Sequence, residues 1–228
     1  MTNPPPRRRG RPVRLDRETI LATTHQMLSD DGAETFSMRR IAGRLGVSTA
    51  AIYHHFPTKG ALFFAVLDAR AEELRRPELP ADPRDRLAAI IIYLVDTLQE
   101  LPWVVDILVT GETYGRAAMW ILDEFVATAR TLGATDTEAA YMYSVLWRFT
   151  LGELSARRSA EERSAAAGRG RSPAHWTESA TSEQLGDFPS VVRLMPQWTA
   201  AMESYDSAKA ARDIIDGLVA NLGRPNTY

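Results

Sequence analysis

The apolar residues of this chain recur at helical spacing along most of its length, and this periodicity restricts the fold more than any other feature. From Leu87 to Leu98, apolar side chains stand at i, i+3, i+4, i+7, i+8 and i+11, which is the pattern of a helix that buries one face. The segment from Ala118 to Leu132 repeats this spacing. Sustained alternation of apolar and polar residues, the signal of a half-buried strand, is scarce. The sequence therefore predicts an all-α protein of nine or ten helices, arranged as a small head and a larger body.

Capping residues predict where the first helices begin. Ser, Thr and Asp accept a hydrogen bond from the exposed N–H groups of a first turn, and four of them precede helical segments: Asp16, Ser37, Ser48 and Thr58. The fourth helix is expected to end near Arg76, before Pro77. Further helices are predicted from Thr137 to about Arg157, near 189–204 and near 207–222. A mobile loop is predicted at about 158–186, because residues 159–171 have no apolar stripe.

Composition excludes several classes of protein. The 228 residues include no cysteine, so a disulfide scaffold, a thiol nucleophile and a thiolate metal site are excluded. The longest apolar run, Ala88 to Val95, falls short of the roughly 20 residues that cross a bilayer. The N-terminal stretch MTNPPPRRRGRPVR has no apolar segment behind its charges, unlike a secretion signal. We expect a cytoplasmic protein with no membrane partner.

Charge is distributed unevenly. Residues 1–60 hold ten Lys or Arg against five Asp or Glu, whereas the other 168 residues hold 17 against 24. A basic head on an acidic body is typical of a protein whose head alone meets a polyanion. Charge fluctuation along the chain would produce the same imbalance, so charge by itself leaves both interpretations open.

The stretch FSMRRIAGRLGVSTAAIYHHF, from Phe36 to Phe56, predicts a helix-turn-helix. Ala42 is small enough for a second helix to cross close to it, and Gly46 can adopt the positive φ of a sharp turn. Ile41, Leu45, Val47 and Ile52 would hold the helix pair on the first helix. In such a motif the second helix enters the major groove of DNA.

With the continuation YHHFPTKGALF, the segment from about Asp16 to Leu67 resembles the tetracycline-repressor (TetR) family of bacterial transcription regulators. The matching residues are Ile20, Leu21, Gly32, Phe36, Ser37, Ile41, Ala42, Gly46, Val47, Ser48, Ile52, Tyr53, His55, Phe56, Lys59 and Leu62. The resemblance covers about the first third of the chain. It implies a homodimer that binds a pseudo-palindromic operator on double-stranded DNA. The last helix and the helix around Tyr141 to Gly152 would hold the two subunits together.

Within this resemblance, Thr49, Ala50 and His54 are the candidates to touch base edges, because they lie opposite Ile52 on the third helix. Ser37, Arg39, Tyr53 and Lys59 are placed for phosphates, and Ser48 belongs to the same DNA-binding set. Tyr53 and His55 could instead only pack the head together. Adjacent histidines on a helix point about 100° apart, so His54 and His55 predict no metal site.

The arm RRRGRPVR precedes the head, with five Arg and no acidic residue between Arg7 and Arg14. Its glycine and proline favour an extended chain, and we expect Arg9 and Arg11 to reach an adjacent minor groove. A solubilising tail without DNA contacts is the alternative.

Aromatic residues concentrated in three consecutive body segments predict a ligand pocket for a small apolar or aromatic effector. The candidate ligand-binding residues are Trp103, Asp106, Tyr114, Met119, Trp120, Tyr141 and Trp147. Aromatic residues at helical spacing also fill cores, which is the alternative for each of them. The resemblance implies that an effector would shift the fourth helix and so change the separation of two recognition helices.

The predicted organisation is a basic arm at 1–15, a DNA-binding domain at 16–57 and a ligand-binding and dimerisation domain at 58–228. The predicted function is a DNA-binding transcriptional regulator, a homodimeric repressor released by its effector, with no cofactor and no metal. Two alternatives remain: a DNA-binding dimer without a small-molecule ligand, and a helical enzyme. The enzyme is disfavoured because the chain has no nucleophile motif, no paired His/Glu metal spacing and no Gly-rich phosphate loop.

Overall fold

Ten α-helices and one short 3-10 helix make up the regular structure of the described residues, which contain no strand. The computed structural model describes residues 15–110, 113–167, 180–181 and 183–224. The helices are α1 (Arg17–Asp31), α2 (Met38–Leu45), α3 (Thr49–His55), α4 (Lys59–Glu72), α5 (Pro83–Gln99), α6 (Pro102–Leu108), α7 (Met119–Thr131), α8 (Asp136–Ala167), α9 (Pro189–Glu203) and α10 (Ser207–Val219), and the 3-10 helix is Arg116–Ala118. The predicted all-α class is confirmed.

The predicted caps form at the first four helices. Asp16 accepts a hydrogen bond from the N–H of Thr19 (2.8 Å), and Ser37 accepts one from that of Arg40 (3.2 Å). Ser48 and Thr58 do the same for the third N–H of their helices, at 3.2 and 3.0 Å. Each bond satisfies a donor that the helix itself leaves without a partner.

The chain divides into two compact units. The N-terminal unit comprises the described residues up to Leu74 together with Leu101–Ala118, and the C-terminal unit comprises Arg75–Glu100 together with the described residues from Met119 onward. The N-terminal unit therefore contains α4, α6 and the 3-10 helix as well as the three-helix head. The functional division at residues 57 and 58 stays a prediction, because packing units and functional domains need not coincide.

Apolar side chains from the first four helices form much of the core of the N-terminal unit. Ile20, Ile41, Ile52 and Leu62 are completely buried. Leu45 and Val47, expected to help lock the helix pair, are half-buried. The 3-10 helix is fixed to α4, because the N–H of Ala117 donates to Asp68 Oδ1 at 2.6 Å.

Helix α5 is the centre of the C-terminal unit, where it packs against α7, α8 and α10. Its predicted stripe is buried as expected: Leu87, Ile90, Ile91, Leu94, Val95 and Leu98 are all at most 7% exposed. None of the helices in the described segments is by itself long and apolar enough to cross a membrane; α5 and α6 meet that test only when taken together across the break between them.

Two predicted boundaries were wrong. Helix α4 ends at Glu72, not near Arg76. Helix α8 continues to Ala167, so the loop predicted from about 158 is helical over its first ten residues. Residues 158–167 are mostly Ala, Glu and Arg, which favour helix strongly. Their missing apolar stripe reflects exposure to solvent, not absence of a helix. The rest of that predicted loop, at 168–179 and 182, lies outside the described residues.

Candidate nucleic-acid interface

A sharp turn at Gly46 separates α2 from α3. Gly46 has φ 67° and ψ 30°, the left-handed conformation that a residue without a Cβ adopts most readily. The N–H of Val47 donates to the carbonyl of Ala42 at 3.0 Å, which closes the end of α2. The chain can then restart as α3 at the Ser48 cap within two residues.

Helix α3 has one buried side and one exposed side. Ile52 is completely buried beneath it. Ala50 and His54 are exposed, Tyr53 is 46% exposed and Thr49 is half-buried. The structure thus brings the predicted base-reading residues to one accessible helix surface, which we call the α3 face (Thr49, Ala50, Tyr53 and His54).

The predicted phosphate-contacting residues flank this face, and their availability differs. Arg39 is exposed, whereas the neighbouring Arg40 is tied to Asp31 (2.8 Å) and to the carbonyl of Thr35 (2.8 Å). Arg40 therefore links the end of α1 to α2, whereas the side chain of Arg39 remains accessible. Ser37 and Ser48 use their hydroxyl oxygens as cap acceptors, which leaves each O–H able to donate to an anion.

Lys59 has a structural contact that the sequence did not reveal. Its Nζ donates to the carbonyl of Phe36 at 3.3 Å and lies 4.8 Å from the centre of the Phe63 ring. An ammonium group has three donors, so two remain for a phosphate. Lys59 sits in the first turn of α4, where the helix dipole also favours an anion.

Arg17 is a residue of this region that sequence reasoning missed. Its guanidinium donates to the carbonyl of His55 at 3.0 Å and lies 4.2 Å from the centre of the Phe56 ring. It thereby fixes the end of α3 to the start of α1, across 38 residues of chain. No local pattern signals such a contact. His55 is half-buried beside it, in keeping with a packing role.

The predicted arm residues Arg9 and Arg11 lie outside the described residues. Among the residues that are described, no group of three or more His, Cys, Asp or Glu side chains could hold a metal ion.

The predicted ligand-binding residues belong to both units. In the N-terminal unit, Trp103 is 3% exposed with its ring against the edge of His25, at 5.6 Å, so it is a core residue there. Tyr114 is 51% exposed and its ring contacts Phe64 at 5.3 Å. Asp106 lines a cavity that is described below.

The other predicted ligand residues lie in the C-terminal unit. Trp120 is half-buried, with its ring 5.6 Å from that of Tyr93 and 5.1 Å from the guanidinium of Arg76. Met119 is 39% and Tyr141 is 62% exposed. Trp147 is half-buried on α8. Tyr141 therefore faces solvent in the single chain.

A polar cluster in the C-terminal unit was also not predicted. Glu153, only 8% exposed, accepts hydrogen bonds from Arg157 Nε (2.9 Å) and from the Tyr205 hydroxyl (2.7 Å). Arg157 also donates to Gln99 (2.5 Å) and to Ser207 (2.8 Å). Burial, then the bond to Glu153, raise the pKa of Tyr205 to about 12. The cluster ties α8 to the end of α5 and the start of α10.

An all-helical chain with a capped helix-turn-helix and an exposed second helix has the features of a DNA-binding regulator. The family model described as "Bacterial regulatory proteins, tetR family" matches residues 20–66, and that described as "Tetracyclin repressor-like, C-terminal domain" matches residues 76–221. The second match alone spans more than half of the chain. The chain belongs to the TetR family of bacterial transcription regulators.

Two relatives illustrate the sequence similarity. The HTH-type transcriptional repressor DrrR1 of Streptomyces coeruleorubidus is 31% identical over 136 residues, which cover 57% of this chain and 49% of DrrR1. An HTH-type transcriptional regulator of Saccharopolyspora erythraea is 26% identical over 92% of this chain and 86% of its own length. The chain thus spans about half of one of these relatives and most of the other.

Among solved structures, the Streptomyces coelicolor TetR family protein ActR in complex with actinorhodin has a TM-score of 0.68 and 23% sequence identity, covering 92% of this chain and 99% of ActR. At this identity the likeness shows the fold. The fold therefore resembles that of ActR over 92% of this chain.

Proposed function

We propose that the chain is a homodimeric transcriptional repressor that binds a pseudo-palindromic operator and is released by a small apolar or aromatic effector. The observation that carries the DNA-binding part is the α3 face, four residues of one short helix held outward by the buried Ile52 and the turn at Gly46. The relative DrrR1, named as a transcriptional repressor, supports the direction of the effect.

In this proposal Thr49, Ala50 and His54 read base edges, while Tyr53, Arg39 and Lys59 contact phosphates. Thr49 and Ala50 begin α3, and the N-terminal residues of a recognition helix are those that approach the base edges. Ala50 and Thr49 offer methyl groups to thymine, and His54 offers a ring nitrogen to a base. Ser37 and Ser48 donate their hydroxyl hydrogens to the sugar-phosphate backbone of the DNA. Arg9 and Arg11 reach its minor groove.

The family and the outward faces of α8 and α10 support the proposed dimerisation. Both helices expose a glycine, Gly152 in the middle of α8 and Gly217 in the last turn of α10, where an added Cβ would meet nothing within 4 Å. Such positions let two helices of different chains approach closely. In the proposed arrangement residues 16–57 bind DNA and residues 58–228 dimerise and bind the effector, with Trp103, Asp106, Tyr114, Met119, Trp120, Tyr141 and Trp147 as candidate effector contacts.

The effector class rests on the aromatic content of the body and on ActR, which was solved with actinorhodin bound. A thermal-shift screen of apolar and aromatic compounds tests it. We expect at least one compound to raise the melting temperature and to weaken operator binding. Uniform silence across a broad library would reject the effector and leave a DNA-binding dimer.

The DNA-binding test measures the affinity of the full chain for the promoter fragment beside its own gene, by fluorescence anisotropy over a range of salt. Tyr53→Phe and Lys59→Ala should weaken binding to every sequence. Loss of the Lys59 cation should reduce the salt slope by about 1 per subunit, whereas loss of the neutral Tyr53 hydroxyl should leave the slope unchanged. Thr49→Ala and His54→Ala should instead change sequence preference, by about 1–3 kcal/mol at the contacted base pair.

Arg163→Ala is the matched control, because Arg163 is an exposed cation on α8, far along the chain from the α3 face. It should change neither the affinity nor the slope by a comparable amount. If none of the four substitutions on or beside the α3 face changed binding, the assignment of this face to DNA would be rejected.

A further inference from the structure

A cavity of about 530 Å³ lies entirely within the N-terminal unit. Its walls come from the α1–α2 connection (Ala33, Glu34), the start of α4 (Lys59, Phe63) and the end of α6 (Asp106, Ile107). Its volume is within the range of about 300–1,000 Å³ of small-molecule sites. Of the residues predicted to bind a ligand, only Asp106 lines it.

The floor of this cavity is apolar. Ala33 and Phe63 are 8% exposed and Ile107 is 2% exposed. Core packing therefore holds these side chains in place at the cavity wall. Val109, at the edge, is 59% exposed. A flat apolar or aromatic group that covered these side chains would remove apolar surface from water, which is favourable in proportion to the area removed.

The charges of the lining are unequal. Among the described lining residues, Glu34 and Asp106 contribute two carboxylates and Lys59 contributes the only ammonium. Glu34 makes no hydrogen bond or ion pair within the described part of the chain. The Lys59 ammonium is already engaged by the Phe36 carbonyl at 3.3 Å and lies against the Phe63 ring. The formal charge of the described lining is therefore −1, from two carboxylates and one ammonium, which favours a cationic ligand.

We propose that this cavity binds a lipophilic amine, with its apolar body on Phe63 and Ile107 and its protonated amine near Asp106 and Glu34. A charge-assisted hydrogen bond to a carboxylate is stronger than a neutral one. Polar side chains beside an apolar floor, here Glu34, Lys59, Asp106, Thr110 and Thr113, can orient a small molecule. This binding does not depend on the DNA-binding role proposed above, and it is measured in the absence of DNA.

The test uses three probes that share a naphthyl body: naphthylethylamine, naphthylethanol and naphthylpropionate. Their dissociation constants for the full chain are measured by calorimetry or saturation-transfer NMR. We expect the amine to bind most tightly and the carboxylate most weakly. Equal binding of all three, binding of the carboxylate in preference to the amine, or no binding of the amine would overturn the proposal.

Variants locate the bound amine. Asp106→Asn should weaken its binding about tenfold and the exposed Glu34→Gln about threefold, as expected for loss of a partly buried and of an exposed charge partner. Lys59→Met should tighten binding, because it removes a like charge. The control Glu100→Gln, at an exposed carboxylate of the C-terminal unit, should have no effect.

Two substitutions of Gly60 test the proposed site sterically, without changing its charge. Gly60 lines the cavity, and a Cβ added there would meet only the Thr58 hydroxyl, at 3.8 Å. Gly60→Ala should therefore retain binding, whereas Gly60→Leu should weaken it severalfold by occupying the cavity. If the amine bound with unchanged affinity to Gly60→Leu, Asp106→Asn and Glu34→Gln, it would be bound elsewhere and the proposed site would be rejected.

Discussion

Replacement of Arg157 by methionine tests whether the polar cluster of the C-terminal unit stabilises the fold. Methionine keeps much of the length of the arginine side chain but removes its charge and its hydrogen bonds. The carboxylate of Glu153, 8% exposed, would then keep only the Tyr205 hydroxyl as a partner among the contacts described above. A buried carboxylate that loses its cation is strongly destabilising, because its desolvation is no longer compensated.

The magnitude follows from the exposure of the two partners. Removal of one member of a buried pair costs about 3–5 kcal/mol. The Arg157 side chain is 27% exposed, so water can reach the position it leaves, and Tyr205 still donates to Glu153. We therefore expect a loss of about 3 kcal/mol in the free energy of unfolding, from the lower end of that range. For a chain of this length the melting temperature should fall by roughly 6–12 °C.

The assay is urea unfolding followed by tryptophan fluorescence, at one fixed protein concentration because dimerisation would shift the apparent stability. Arg163→Met, farther along α8 at an exposed position, is the matched control and should change stability by less than about 0.5 kcal/mol. In the double variant Glu153→Gln/Arg157→Met the buried charge is gone, so more than half of the loss should be recovered. A loss below about 1 kcal/mol for Arg157→Met, or a double variant as unstable as the sum of its two single variants, would refute the reasoning.

Three further outcomes are expected. The raised pKa of Tyr205, about 12 against an ordinary 10.0, predicts stability that is fully present below pH 10 and is lost as pH rises toward 12. An ultraviolet titration should show late tyrosine ionisation from Tyr205 and from Tyr143, whose pKa burial also raises, and Tyr205→Phe should reduce its amplitude. Hydrogen bonds from the N–H groups of Gly223 and Thr135 lower the pKa of Glu138 below its ordinary 4.5. The contribution of Glu138 to stability should therefore be lost as pH falls below 4.5. Glu138→Gln should flatten the acidic part of a plot of melting temperature against pH. Gly46→Ala should lower the free energy of unfolding by about 1–2 kcal/mol because φ is positive at Gly46. Gly43→Ala, in α2 with nothing within 4 Å of the added Cβ, should instead raise it by about 0.5–1 kcal/mol. Thermal unfolding of the two variants would contradict this if both melting temperatures shifted in the same direction.

The parts of the fold that the sequence predicts are those set by short-range geometry. A cap bond joins residues three apart, as at Ser48 and the N–H of Ala51, so the residue types alone place it. The stripe of α5 is likewise a property of one helix. The boundary error at α8 has the opposite origin: helix propensity without an apolar face leaves no periodic signal, although the helix forms.

Long-range contacts escape this reasoning. At the candidate site, Arg17 meets the carbonyl of His55 across 38 residues of chain. Arg157 meets Gln99 and Ser207 across 58 and 50 residues of chain, and no pattern near Arg157 indicates either partner. The same holds for the ligand residues. Helical spacing does not distinguish an aromatic core residue from a pocket residue, and the burial of Trp103 against His25 within its unit fits both. The α3 face was predictable because its exposure follows from one buried residue, Ile52, on a short helix.

The structural contact of Lys59 changes how its substitution must be interpreted. Lys59→Ala would remove a proposed phosphate partner and also the hydrogen bond to the Phe36 carbonyl (3.3 Å), which joins α4 to the start of the helix-turn-helix. Either loss would weaken operator binding, so a change in affinity does not separate them. The salt dependence does, because only a lost phosphate contact releases fewer counterions. A weaker variant with an unchanged salt slope would assign Lys59 to the packing of the head, and a reduced slope would assign it to DNA.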